Sequence, residues 1–266
     1  MYNSAGAEIR FTDAAHAMLN ATSVTNYGLI DGAGNIVGSF NNVGGTVQAA
    51  SGQILNVVSS ATSGGTLSRA SGGTLNFQSN LMLQSGSAVQ FALAGGTLGT
   101  QYGQLGVTSA LTATGSLAVT FAGGDDPHNG EQFHLLKFGS ESGTFSSVTL
   151  PSLDPGLHWD TSLLYTQGIL RVSIPGDVTG DGITNGLDIN LIANKWLHTG
   201  SPATLPGDAN GDGTVNGLDI NVIATHWLQT YGAGGGRARA LDTHPRRARR
   251  TRIADLSPSP LRKIAV

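Results

Sequence analysis

The chain has 266 residues, 39 of them Gly, and only 12% carry a charged side chain, against about a quarter in ordinary soluble domains. Cysteine is absent, which excludes disulfide frameworks and thiolate metal sites. No run of about 18 apolar residues occurs, so no transmembrane helix is encoded, yet an apolar share of 39% is too high for a chain that stays unfolded.

The opening stretch, "MYNSAGAEIRFTDAAHAMLN", has neither a basic leader nor an apolar segment ahead of a small-residue cleavage site, and so does not read as a signal peptide. Residues 1–19 are expected to be irregular. The expectation for the start as a whole is a truncated or mis-called beginning of a longer exported protein.

From about 20 to 120 the chain is repetitive. "GGTV" at 44–47 and "GGTL" at 64–67, 72–75 and 95–98 recur at irregular intervals, with short alternating runs such as "QILNVV" (53–58), "TLNFQ" (74–78) and "AVQFAL" (88–93) between them. Gly pairs make corners, and alternation over three to five residues marks strands with one buried face. Short strands at repeat spacing predict a mainly β fold, a right-handed parallel β-solenoid in which each coil buries its inner face on its neighbours. An ordinary β-sandwich is the alternative. Residues 102–173 carry longer strands, with core candidates Phe133, Leu135, Leu136, Phe138 and Val148, and are expected to cap the stack against edge pairing. The Gly-rich coils leading into "YGQLGVTSALTATGSLAVTF" make residues 20–173 similar to exported autotransporter-like β-strand-repeat proteins.

Two segments further on align without a gap at an offset of 31 residues: "GDVTGDGITNGLDINLIANKWL" (176–197) and "GDANGDGTVNGLDINVIATHWL" (207–228). Counting Asp208 as position 1, oxygen-bearing side chains fall at positions 1, 3, 5, 9 and 12, with Gly213 at position 6. That is the pattern in which hard oxygen ligands surround Ca²⁺ and Gly permits the sharp turn. The predicted ligands of the second loop are Asp208, Asn210, Asp212, the Thr214 carbonyl, Asn216 and Asp219. Those of the first are Asp177, Thr179, Asp181, the Ile183 carbonyl, Asn185 and Asp188, with Gly182 at the turn. Two Ca²⁺ sites are therefore expected, the first weaker because Thr179 replaces an amide. Asp-Gly and Asn-Gly also form plain turns, but turns alone do not require Asp at positions 1, 5 and 12 of both copies.

Each loop leads into a helical pattern, "INLIANKWL" and "INVIATHWL", with Leu187, Leu191, Ile192 and Trp196, and Leu218, Val222, Ile223 and Trp227, at helical spacing. No helix precedes either loop, since "RVSIPG" and "PATLPG" are extended and contain Pro. The last ligand is Asp where the common calcium hand has Glu. In both features residues 175–230 resemble the type I dockerin family. The resemblance implies a small all-α domain (174–232) that folds around calcium and docks onto a cohesin domain, commonly in polysaccharide-degrading assemblies. Loop positions 10 and 11, where cellulosomal members carry small polar residues, hold Gly186-Leu187 and Gly217-Leu218, so the partner does not follow from the family. β-strand repeats followed by such a unit resemble exported proteins of planctomycete-type bacteria, in which a sorting tail follows.

After residue 232 the composition changes again. Nine of the fourteen Lys and Arg lie in 237–266 with two of the seventeen acids, which makes that tail net +7 and the body net −10. Without aromatic residues for stacking, nucleic-acid binding is not expected. A disordered basic tail over 233–266 is, with a frame-shifted sorting anchor as the alternative.

Catalysis is not expected either. Glycoside hydrolysis takes two facing carboxylates, and residues 1–124 hold only Glu8, Asp13 and Asp31. The leading expectation is an extracellular or cell-surface scaffold, non-catalytic, whose β-repeat region is anchored by a calcium-dependent docking module. The alternatives are an accessory or enzymatic component of polysaccharide catabolism with a polysaccharide ligand, and an adhesin-like stalk.

Overall fold

In the computed structural model, residues 1–12, 17–200 and 205–230 are described. The chain winds into coils that stack through parallel strands only. One full coil is Ile54–Val57, Ala61–Ser63 and Thr66–Arg69; the next is Thr74–Phe77, Leu81–Leu83 and Ala88–Leu93; the third is Gln104–Ala113 and Ser116–Phe121. The first two arms of each coil join one nine-stranded sheet, and the third arm joins a seven-stranded sheet. The fold is mainly β and solenoid-like, with parallel sheets and no sandwich.

Like residues meet in register. Leu55 pairs with Leu75, Leu75 with Leu105 and Leu105 with Leu136, while Val47, Leu67, Val89 and Leu117 form the matching inner row of the second sheet. The members of both rows are buried. Each such side chain contributes about 1.5–3 kcal/mol by leaving water, but only when a coil lies on either side of it. At one corner a second, polar ladder runs through the interior. Asn3 donates to Asn26 at 2.7 Å, Asn26 to Asn42 at 2.9 Å and Asn42 to Ser63 at 3.2 Å. An amide is one donor and one acceptor in tandem, so each rung satisfies the next. The Gly pairs sit beside this ladder for a steric reason: a Cβ on Gly65 would run into the carbonyl of Gly45, and one on Gly45 into that of Gly28.

Three expectations need correction. Residues 1–19 are not irregular throughout, because Tyr2–Asn3 pairs with Thr25–Asn26 and Glu8–Phe11 with Leu29–Gly32, an additional coil in which Glu8 and Arg10 face outward and Ile9 and Phe11 pack on the core. "GGTL" at 95–98 is a loop: the N–H groups of Gln101 and Tyr102 turn back onto Thr97 O, and Leu98 is exposed. The cap is also narrower than 102–173. Gln104–Ala113, Ser116–Phe121, Leu136–Gly143 and Ser147–Thr149 continue the coils, and a small antiparallel sheet of Gln132–His134, Ile169–Ser173 and His158–Asp160 follows them. Phe133, Leu135 and Leu136 are buried there as expected, with Phe138 and Val148 half-buried. Trp159 packs on Phe121 and Phe133, its indole N–H donating to Pro151 O at 2.8 Å.

One inner position is anomalous. Arg69 stands in register between Ala49 and Phe91, 2% exposed, with its guanidinium 3.7 Å from the centre of the Phe91 ring. Its Nη2 donates to Gln90 O at 3.0 Å, and its Nε and Nη1 have no partner. Burial without a carboxylate disfavours the cation and pulls its pKa down. Substituting Arg69→Met should therefore raise the urea midpoint, by the equivalent of about 1–3 kcal/mol; a lowered midpoint would show that the guanidinium is a net stabiliser.

Candidate metal centre

The two loops fold alike because one carboxylate at the head of each collects the backbone N–H groups of the following turn. Asp177 accepts from Gly180, Asp181 and Gly182 at 2.7, 3.0 and 2.8 Å. Asp208 accepts from Gly211, Asp212 and Gly213 at 2.9, 3.1 and 2.8 Å. This wrap needs positive φ at position 6, where Gly182 and Gly213 adopt 88° and 84°.

The closing acid is doubly used. Asp188 Oδ1 accepts from Thr179 N at 3.0 Å and its Oδ2 from Asn185 N at 2.8 Å; Asp219 does the same with Asn210 N and Asn216 N at 3.1 and 2.7 Å. Both acids are 0% exposed. They also occupy the first turns of helices α1 (Gly186–Asn194) and α2 (Gly217–Thr225), where negative charge is favoured. Asn185 and Asn216 cap those helices, accepting from Leu187 N and Leu218 N at 2.7 Å each. Loop and helix are thus one hydrogen-bonded unit.

In the first loop the Thr179 hydroxyl lies 2.9 Å from Asp188 Oδ1 and 3.3 Å from Asp177 Oδ1, so oxygens from positions 1, 3 and 12 converge. In the second, Asn210 instead donates to Asp212 Oδ2 at 2.9 Å. Asp181 and Asp212 accept the N–H groups of Ile183 and Thr214, and the carbonyls of Ile183 and Thr214 accept the amides of Asn185 and Asn216. Positions 5, 7 and 9 are therefore held in the loops' own hydrogen bonds. Among the described residues no group of three or more His, Cys, Asp or Glu forms a metal cluster by itself. The donors of these loops are carboxylate, hydroxyl, amide and carbonyl oxygens, a hard set that fits Ca²⁺ and not Zn²⁺.

The helices are shorter than the periodicity suggests. They stop at Asn194 and Thr225, before Trp196 and Trp227, because the chain then reverses at Leu197 and Leu228, each at φ 59°. That reversal creates an interlock not visible from spacing. The residues after α1 pair with the second loop, Leu197 N to Val215 O and Val215 N to His198 O, both at 2.9 Å. The residues after α2 pair with the first, Leu228 N to Thr184 O at 2.8 Å and Thr184 N to Gln229 O at 3.1 Å. Ile192, Val215 and Ile223 form the small shared core.

The β-cap reaches this unit through Gln229, whose side-chain amide donates to Gly156 O at 2.9 Å. A cleft of about 670 Å³ beside it is lined by Asp160, Arg171, Asp177 and Asp208. Arg171 Nη2 lies 2.6 Å from Asp160. Burial pushes the Asp160 carboxyl up, but hydrogen bonds from Ser162 and the charge of Arg171 outweigh it and hold the pKa below the usual carboxylate range. Burial likewise depresses His158.

The αL conformation of Leu197 and Leu228 costs about 1–2 kcal/mol each for a side-chain-bearing residue, and both side chains are well over half exposed. Leu197→Gly and Leu228→Gly should therefore leave the unit as stable or more stable by up to about 1 kcal/mol, measured by urea melts followed through Trp196 and Trp227 fluorescence. A loss of stability would show that the leucines pack in a way their exposure does not reveal.

No helix among the described residues is long and apolar enough to cross a membrane. The expected disordered tail (233–266), the middle of the linker (201–204) and Asp13 lie outside the described residues. No curated protein and no solved structure matches the chain. The doubled loop–helix unit has a counterpart among known families: residues 175–226 match the dockerin type I domain.

Proposed function

We propose that residues 174–232 bind two Ca²⁺ ions, one per loop, and dock the chain onto a partner carrying a cohesin-like domain, with the solenoid as a non-catalytic scaffold displayed outside the cell. The observation that carries this reading is the duplicated wrap of backbone N–H groups around Asp177 and Asp208, with Asp188 and Asp219 buried across each loop. Two acids of like charge in each loop repel until a cation lies between them, so binding of the ion stabilises the folded loop. The chemistry a bound ion supplies is charge neutralisation and rigidity of the loop.

Asp177, Thr179 and Asp188 in the first loop and Asp208 and Asp219 in the second are the ligands that the geometry favours most, and Asn210 joins them once it leaves Asp212. Asp181, Asn185, Asp212, Asn216 and the carbonyls of Ile183 and Thr214 complete the set once their internal hydrogen bonds rearrange. Thr179 offers a weaker dipole than Asn210, and in the first loop its hydroxyl proton already holds two carboxylates. The first site is the weaker one on both counts. Calcium near millimolar, as outside cells, suffices for sites of modest affinity.

The docking face is apolar. Leu187 and Leu218 are 58% and 59% exposed, with Trp196 and Trp227 half-exposed beside the strained Leu197 and Leu228. A strained, exposed leucine repeated in both halves has no folding advantage, which supports a role in contact. The socket on the partner is then apolar where cellulosomal pairs use small polar side chains.

Calorimetric titration of the full chain with Ca²⁺ tests the reading. Two ions should bind, one should be lost in each of Asp177→Ala and Asp208→Ala, and the tighter one should be lost with Asp208. Absence of heat at millimolar calcium, or a stoichiometry unchanged by both substitutions, would overturn it.

A further inference from the structure

On the outer face of the second arms of the coils, a groove of about 470 Å³ runs across successive strands. Two rows of side chains line it. One is Ser23, Ser39, Ser60 and Asn80; the other is Thr25, Asn41, Thr62, Met82 and Thr112, aligned by the parallel register. Between the rows the buried Val24, Phe40, Ala61 and Leu81 close the floor.

No Asp, Glu, Lys, Arg or His lines this groove. The hydroxyls and amides in it donate and accept alike, and parallel stacking repeats them about every 4.8 Å. Much of their capacity is unused: Thr62 donates to Asn41 at 2.8 Å and Ser60 shares a hydrogen with Ser79 at 3.0 Å, which leaves lone pairs and rotatable hydroxyl hydrogens facing outward.

We propose that this groove binds a neutral polysaccharide, laid along the solenoid axis. A ligand hydroxyl is itself both donor and acceptor, and a polymer of such groups with a repeat of a few ångströms meets a fresh hydroxyl or amide at each coil. Charged polymers are disfavoured, because nothing in the groove compensates a phosphate or carboxylate once it is desolvated. A peptide strand cannot add here, since the strands beneath are interior members of the sheet with partners on both sides. A protein partner would call for the aromatic and Arg side chains that enrich interface cores, and Met82 is the one large exposed apolar side chain among the lining residues. The proposal is independent of the calcium loops, which lie beyond the cap.

Native affinity electrophoresis of the full chain in gels containing xyloglucan, galactomannan or polygalacturonate tests it, each run with Ca²⁺ and with EGTA. Retardation is expected in at least one neutral polymer, equal in both conditions, and absent in polygalacturonate. Ser60→Arg with Thr62→Arg should weaken that retardation at least tenfold. The milder pair Asn41→Ala with Thr62→Ala, which removes one exposed hydrogen bond, should weaken it severalfold. Gln48→Arg, on the other sheet, should not alter it. Migration unaffected by both neutral polymers, retention undiminished in both groove variants, or equal retardation by polygalacturonate would overturn the proposal. Because the arm in EGTA needs no calcium, a failed calcium titration leaves this result intact.

Discussion

In the β-region everything depends on register. A coil has no core of its own; Leu75 is dry only because Leu55 and Leu105 lie directly on either side of it. A slip of one residue would turn that whole row to water. The interior amide ladder from Asn3 to Ser63 opposes such a slip, since each rung finds its partner at one vertical position only. Register also aligns the outer rows, so the repeated chemistry of the groove follows from the same constraint that builds the core.

The loop–helix unit is held differently. Its core is three fully buried residues with a few half-buried neighbours, too little to offset the entropy of ordering some fifty residues. Its organisation comes from carboxylates that gather backbone N–H groups and from the crossed pairing of each helix exit with the opposite loop. Neither half can be removed without opening the other, because Thr184 and Val215 are each bonded to the far helix's exit. Metal binding and this interlock therefore act on one cooperative element, while the inner rows that fix the solenoid's register, Leu55 to Leu136 and Val47 to Leu117, carry no acid to respond to the ion.

The parts whose signal is local or periodic are legible in the residues alone. The 31-residue offset located both loops and both helix starts, since ligand spacing and an Asn cap are written in consecutive residues. Alternation after Gly pairs located most coils. The rest depends on contacts that alternation does not encode. "EIRF" is a strand because Leu29–Gly32 lies beside it, and "GGTL" at 95–98 is a loop because Thr97 O is captured by its own neighbours. In "TLSR" alternation sets Arg69 on the inward face with Leu67, against its charge, and nothing in the segment says that it lies over Phe91. The reversal at Leu197 and Leu228 was invisible because leucine is not a residue that signals positive φ; its recurrence at the same place in both repeats was the available hint.

Hydrogen exchange on the full chain, with and without calcium, tests most directly the claim that the two regions are stabilised by different means. Amides of Leu191–Ala193 and Val222–Ala224 should gain protection by orders of magnitude when Ca²⁺ is added, while those of Leu55, Leu75 and Leu105 should exchange equally slowly in both conditions. Equal protection of the helices with and without the ion, or loss of protection in the solenoid on chelation, would contradict it.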